Sequence, residues 1–188
     1  FSAQSKIVGA RIRTYLLERS RLVFQPESER NYHIFYQLMA GLSEETKTKW
    51  QLNNVNDFHY MNQGSTTENG FKINGVDDSE EFNRTKNALL KIGISEDMQH
   101  EIFQLLAALL HIGNIEITKT RNDASLPSDE KNLLVATELL GIDNVGFAKW
   151  IVKKQINTRS EKIISNLNFA QAMVTKDSIA KFIYSALF

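Results

Sequence analysis

Four positive side chains lie within ten residues late in the chain, namely Lys153, Lys154, Arg159 and Lys162, and the only acid among them is Glu161. A basic cluster of this kind attracts an acidic partner and speeds the encounter by electrostatic steering. The same composition is also typical of a solvated loop. On residue types alone, both interpretations of the cluster stay open.

A second group of charges surrounds Pro26 near the start of the chain. It consists of Arg19, Arg21, Glu29 and Arg30. Charged residues are mostly exposed in folded proteins, so a solvated surface is the simplest explanation of this group from residue types.

The chain carries no recognisable catalytic set. There is no cysteine, which excludes disulfides, thiol catalysis and thiolate metal sites, and the phosphate-binding pattern Gly-x-x-x-x-Gly-Lys-Ser/Thr is absent. Adjacent acids such as Glu80 and Glu81 are explained by helix capping. The histidines are not spaced as metal ligands, and we expect His33 to pack in the core. We therefore predict no catalytic, cofactor-binding or metal-binding residue.

Composition places the chain among ordinary globular domains. It has 188 residues with 42% hydrophobic and 23% charged, and its 22 basic residues balance its 22 acidic ones. This balance gives no argument for nucleic acid or a membrane as partner, and no apolar run approaches the roughly 20 residues that span a bilayer. Because the chain starts without Met and stops inside an apolar helical stripe, we expect it to be a fragment.

Alternation of apolar and polar residues from Ile12 to Arg19 predicts a half-buried strand, and Pro26 prevents it from continuing. After the proline, apolar residues at three- and four-residue spacing predict a helix that Gly41 caps. We expect a β-hairpin over Lys153–Asn166 and a short strand over Ile115–Ile117. The expected fold class is therefore mainly α with a few β strands.

Capping residues predict the remaining helices. Ser43 opens a short polar helix, Asp78 opens the capping-box sequence Asp-Ser-Glu-Glu, and Ser95 opens a long, buried central helix. Three further helices are expected: one from Leu133 to Leu140 ended by Gly141, a short one that includes Phe147, Trp150 and Ile151, and one from Asn168 or Phe169 toward the end of the chain.

Several long stretches resemble the myosin motor domain. The resemblance is carried by Val8–Val23, Glu29–Leu38, Leu109–Asn114 and Asp177–Lys181. It implies that residues 1–25 form a strand of the motor's central sheet, over Ile7–Arg21, and the exit from that strand. Residues 26–188 would then form most of the upper 50-kDa subdomain of this P-loop NTPase-type motor.

The resemblance also implies a function. The complete protein would be an actin-activated ATPase that binds Mg-ATP through loops outside this segment, so no activity is expected of the segment alone. Thr120–Leu126 and Phe147–Lys154 are similar to fungal class V myosins. That class implies cargo transport along F-actin in the cytoplasm, with calmodulin-type light chains and cargo adaptors bound elsewhere in the protein.

Roles for both charged groups follow from the resemblance. The hairpin of Lys153, Lys154, Arg159 and Lys162 resembles an actin-binding loop, and the polar loop Thr118–Glu130 resembles a second surface loop near actin. In the family, the residue sixteen positions before the Asp of the Asp-Ala-Leu-Ala-Lys motif is acidic or phosphorylatable. That motif here is Asp177-Ser-Ile-Ala-Lys181, so the position is occupied by Glu161, a permanent carboxylate.

For the first charged group, the resemblance implies ion pairs between strand and helix that couple the central sheet to the upper subdomain. Its members are Arg19, Arg21, Glu29 and Arg30. Two alternatives to the class V interpretation remain: a motor segment of another myosin class, such as I or II, or a free-standing helical interaction domain.

Overall fold

The computed structural model describes residues 3–7, 9, 13–63, 72–157 and 161–188. The described residues are mainly helical with a few short strands, as predicted. The α-helices are α1 His33–Gly41, α2 Glu44–Lys49, α3 Asp78–Lys91, α4 Glu96–Asn114, α5 Lys131–Leu140, α6 Asn144–Val152 and α7 Phe169–Leu187. The strands are β1 Thr118–Lys119, β2 Ala124–Ser125, β3 Lys153–Asn157 and β4 Lys162–Asn166, and two 3-10 helices span Arg19–Leu22 and Val55–Asp57.

Side-chain caps fix where the helices begin. Ser43 accepts a hydrogen bond from the Thr46 amide, and Ser95 accepts one from the Met98 amide, so both predicted caps are confirmed. The cap of α3 differs, because Asp77, not Asp78, accepts from the amides at the helix start. The Asp78 carboxylate is consequently available for a partner outside its own helix.

The core is built around α4, which contacts α5 and α7, while α1 packs against α3. The end of α4 is buried on nearly every side, as expected for a central helix. The fully buried larger side chains include Leu22, Phe35, Leu38, Trp50, Tyr60, Met61, Leu109, Leu110 and Ile112. No helix among the described residues is both long enough and apolar enough to cross a membrane.

The strand predicted over Ile7–Arg21 is wrong for this chain on its own. Residues 13–18 form no strand, and Arg19–Leu22 is a 3-10 helix. Tyr15 and Leu16 are 85% and 81% exposed. A strand is held by hydrogen bonds to neighbouring strands, and in the described part of the chain this segment pairs with none. Residues 8 and 10–12 of the prediction lie outside the described residues.

The late hairpin is confirmed. Strands β3 and β4 pair antiparallel with Ile156 opposite Ile163 and Lys154 opposite Ser165. The strand expected over Ile115–Ile117 is displaced, because the short pair β1–β2 begins only at Thr118. The polar loop after α4 is thus a small, turned ribbon.

Candidate functional site

A buried ion pair joins the start of α1 to the start of α3. Arg30 binds both carboxylate oxygens of Asp78, with Nη1–Oδ2 and Nη2–Oδ1 distances of 2.8 and 2.9 Å. The two side chains are only 7% and 17% exposed. The guanidinium also lies 4.6 Å from the centre of the Tyr36 ring. This bidentate geometry fixes both direction and distance between the helices.

Arg21 forms a second, more exposed set of ion pairs. Its guanidinium lies 2.9 Å from Glu18 and 2.5 Å from Glu29, and it also donates to the Arg30 carbonyl. Hydrogen bonds to Glu18 and Glu29 raise the pKa of Arg21. The structure therefore brings Arg21, Glu29 and Arg30 together and adds Glu18 to this group.

Two sequence expectations about this junction differ from the structure. Arg19 is exposed and forms no ion pair within the described residues. His33 is exposed as well, so its predicted place in the core is wrong. Its Nδ1 atom lies 2.7 Å from Arg30 Nη2. The apolar face of α1 is formed instead by Phe35, Tyr36 and Met39, which are buried at the predicted three- and four-residue spacing.

Asn31 is a buried polar residue that the sequence did not single out. Its side-chain amide donates to the Leu22 carbonyl at 2.9 Å and to the Tyr60 carbonyl at 2.7 Å. Its backbone amide donates to the Tyr36 hydroxyl. Asn31 thereby joins the 3-10 helix, the start of α1 and the segment around Tyr60. Only tertiary contacts reveal this role.

The described part of the hairpin carries three of the four predicted basic residues, namely Lys153, Lys154 and Lys162. Lys154, Glu161 and Lys162 are exposed and Lys153 is half-buried, whereas Arg159 lies outside the described residues. The pairing register puts Lys153 and Lys162 on one face and Lys154 on the other, since side chains alternate along a strand. Positive charge is therefore presented on both faces of the ribbon.

The base of the hairpin is fixed to the rest of the molecule by backbone hydrogen bonds. The Leu167 amide donates to the Val152 carbonyl, and the Ala124 amide donates to the Leu167 carbonyl, both at 2.8 Å. Asn166 also donates to the Asp123 carboxylate at 3.0 Å. The two surface loops singled out in the sequence, β1–β2 and β3–β4, consequently share one base.

The sequence model of the myosin head (motor domain) matches residues 1–188 of the chain. The chain belongs to the myosin motor domain family. It is 66% identical to Myosin-2 of Lachancea kluyveri, 65% to Myosin-2 of Saccharomyces cerevisiae and 57% to Myosin-4 of the same yeast. Each match covers 100% of this chain and 12% of the relative, so the chain spans about an eighth of the length of these myosins.

Two of the stretches that resemble myosins meet in the core of this motor segment. The first is Leu109–Asn114 at the end of α4, and the second is Asp177–Lys181 in α7. Lys176, just before the second, is buried and donates to the Gly113 carbonyl at 2.8 Å. A Cβ on Gly113 would lie 2.8 Å from the ring of Tyr60, whose hydroxyl donates to Asp177 at 2.7 Å. Tyr60 thus links both stretches.

The described residues contain no group of three or more His, Asp or Glu side chains that could hold a metal ion. Burial lowers the pKa of the Lys176 ammonium. Its two carbonyl partners, Gly113 and Ile115, belong to the negative end of the α4 dipole, which favours a cation there. The geometry explains Lys176 as a structural cap of α4.

His111 lies in the stretch Leu109–Asn114, and its environment leads us to expect that the stability of the chain depends on pH. Its Nε2 lies 2.8 Å from the Trp50 carbonyl, and because a carbonyl only accepts, Nε2 carries the proton. Burial lowers the pKa of His111 below its ordinary value of 6.5, and this effect outweighs the hydrogen bonds to the Trp50 carbonyl and the Asn132 side chain, which act in the opposite direction. The unfolded chain therefore binds this proton more tightly, so stability is full above about pH 6.5 and falls as the pH decreases toward the folded-state pKa.

We expect His111→Gln to lose less stability than the unmodified chain between about pH 7.5 and 5.5, measured by urea unfolding. Glutamine keeps a donor for the Trp50 carbonyl and does not titrate. The exposed His59 provides the matched control, since His59→Gln is expected to retain the original difference between the two pH values. An unchanged pH dependence in His111→Gln would remove this assignment.

Proposed function

We propose that this chain is part of an actin-activated ATPase motor, in which it transmits between the nucleotide site and F-actin without performing chemistry. The observation that carries the proposal is the match of the motor-domain family to the whole chain. Since the chain has no phosphate-binding loop pattern, we assign the binding of Mg-ATP to other parts of the motor.

Within that motor, residues 26–188 are proposed to form most of the upper 50-kDa subdomain, and residues 1–25 a strand of the central sheet and its exit. The continuous core from α1 to α7 supports the first assignment. The second assignment applies to the complete motor only, where other strands would supply the missing hydrogen-bond partners and cover Tyr15 and Leu16.

The β3–β4 hairpin is proposed as the actin-binding element, through Lys153, Lys154, Arg159 and Lys162. Exposure of Lys154 and Lys162 on opposite faces of a ribbon supports contact with an acidic filament surface. Such charges accelerate encounter and make it sensitive to salt. Arg159 is included on its sequence position alone.

Arg21, Glu29 and Arg30 are proposed to couple the sheet to the upper subdomain. Their ion pairs join the 3-10 helix, the start of α1 and, through Asp78, the start of α3. If one of these elements shifted relative to another, it would either break these ion pairs or pull the partner element along with it. Arg19 has no ion pair in the described residues, so its part in coupling rests on the resemblance.

A class V motor that carries cargo in the cytoplasm along the actin cytoskeleton is the proposed biological context. The supporting features are the stretches Thr120–Leu126 and Phe147–Lys154, which resemble fungal members of that class. The names of the similar yeast myosins do not state a class. Calmodulin-type light chains and cargo adaptors would bind elsewhere in the protein, and a neck with six calmodulin-binding repeats would favour class V over classes I and II.

The test of the proposed function is the ATPase rate of the complete protein with and without F-actin. We expect activation by actin and a higher half-saturating actin concentration as salt increases, because exposed charges are screened. A complete protein whose ATPase ignores F-actin would overturn the proposal.

Glu161 is proposed to supply the negative charge that a phosphate supplies in other myosins. We expect Glu161→Ala to weaken actin activation of the complete motor by about threefold or more, while its ATPase without actin is unchanged. Glu161→Asp should retain activation. Glu116→Ala, an exposed acid outside the hairpin, is the matched control. Full activation of Glu161→Ala would refute the role.

A further inference from the structure

We propose that the hydrogen bond between Tyr60 and Asp177 is the contact through which actin binding at the hairpin reaches the Arg30–Asp78 junction. The inference rests on the proposed function and assigns it a specific internal contact. The connection runs along the covalent chain and its hydrogen bonds from the hairpin inward, through α7, Tyr60 and Asn31.

The hairpin is continuous with α7. Strand β4 ends at Asn166, and Leu167 is buried and held by backbone hydrogen bonds on both sides. Asn168 caps α7 in a reciprocal capping box with Gln171. An α-helix rises about 1.5 Å per residue, so Asp177 lies about 14 Å along a rigid rod from that cap. A displacement of the hairpin base is therefore transmitted to Asp177.

Two adjacent side chains of α7, Lys176 and Asp177, form hydrogen bonds to other parts of the fold. Lys176 donates to the Gly113 carbonyl at 2.8 Å, and Asp177 accepts from the Tyr60 hydroxyl at 2.7 Å. The Tyr60 side chain is fully buried, and its ring packs so closely on Gly113 that no Cβ fits there. Tyr60 has little room to yield, so movement of α7 has to move Tyr60 or break this hydrogen bond.

Tyr60 also contacts the junction. Its carbonyl accepts from the Asn31 side chain at 2.7 Å, and the same amide donates to the Leu22 carbonyl at 2.9 Å. Asn31 directly follows Arg30, whose guanidinium holds Asp78. One residue thus bonds to α7 through its hydroxyl and to the junction through its backbone.

The chemistry of the contact suits a coupling role. Burial and the neighbouring Asp177 carboxylate raise the pKa of Tyr60, so its hydroxyl remains a donor at any physiological pH. A hydrogen bond to a charged acceptor in a poorly solvated environment is stronger than one between neutral groups in water. Coupling through such a contact is established only when its removal changes how one site responds to the other.

The experiment uses Tyr60→Phe in the complete motor, which keeps the ring and removes only the hydroxyl. We expect the maximal actin-activated ATPase rate to fall by about threefold or more, with the half-saturating actin concentration and the rate without actin within about twofold of the unmodified motor. Tyr184→Phe is the matched control, because Tyr184 is also buried, lies on α7, and its hydroxyl forms no hydrogen bond within the described part of the chain. Its activated rate should be unchanged.

Variants at the acceptor separate a lost hydrogen bond from a general loss of structure. Asp177→Asn retains an oxygen that accepts from Tyr60 and should keep most of the activation, whereas Asp177→Ala should behave like Tyr60→Phe. The double variant Asp177→Ala, Tyr60→Phe should lose no more of the maximal actin-activated ATPase rate than either single variant. Unchanged activation in Tyr60→Phe, or strictly additive losses, would overturn the inference and leave the proposed function intact. An unmodified motor that ignores actin would instead overturn the proposed function.

Discussion

Replacement of Arg30 by Met is expected to lower the free energy of unfolding of this chain by about 3–5 kcal/mol. Methionine fills a similar volume but leaves the Asp78 carboxylate, whose side chain is only 17% exposed, without its bidentate partner. The contact between the guanidinium and the Tyr36 ring is lost as well. Urea unfolding followed by circular dichroism measures the change as a lower transition midpoint.

Arg84→Met provides the matched control in the same part of the fold. Arg84 also binds two acids of α3, Glu80 at 2.8 Å and Glu81 at 2.6 Å, but its side chain is 65% exposed. Water solvates these acids when the arginine is removed, so we expect a far smaller shift than for Arg30→Met. Equal shifts in the two variants would show that burial does not decide the strength of the Arg30–Asp78 pair.

Features encoded within a few residues could be predicted from the sequence. Ser43 and Ser95 cap helices because a short polar side chain reaches the amide three residues on, and the glycine at position 141 ends α5 with a φ of +66°. The hairpin over Lys153–Asn166 followed from weak alternation and a polar middle. In each case the residues that determine the local structure lie within or next to the element that they determine.

Features that depend on distant partners could not be predicted. Arg30 was singled out as a charged residue, but Asp78, its partner, lies 48 positions away, and Tyr60 and Asp177 are 117 positions apart. The strand expected over Ile7–Arg21 failed for the same reason, since a strand needs a neighbour that this chain does not offer within its described residues. Alternation records which side chains suit a strand, and the sheet itself decides whether one forms.

Gly41 shows that a glycine at a helix end can be required for either of two structural reasons. The sequence suggested a left-handed helix cap, but Gly41 is the last residue of α1 itself and its φ is not positive. A Cβ at this position would lie 2.6 Å from both Cβ and Cγ of Phe82. Glycine is therefore required because α3 approaches α1 closely here. Composition alone does not separate this cause from a cap.

We expect Gly41→Ala to destabilise the chain toward the upper end of the about 1–3 kcal/mol typical of an overpacked core. Phe82 cannot swing aside, because the clash involves the root of its side chain and its ring already packs 4.9 Å from the Phe103 ring, centre to centre. The better helix propensity of alanine, roughly 1 kcal/mol, offsets only part of this cost. Thermal and urea unfolding measure the difference.

Gly141→Ala is the control that separates a packing clash from backbone strain. Gly141 has a φ of +66°, and a Cβ added there would meet no atom within 4 Å, so alanine costs about 1–2 kcal/mol through its left-handed conformation alone. In a Phe82→Leu background, the smaller side chain should reduce the cost of Gly41→Ala and leave the cost of Gly141→Ala unchanged. If Phe82→Leu relieved neither variant, close packing of α1 on α3 would not be the reason for glycine at position 41.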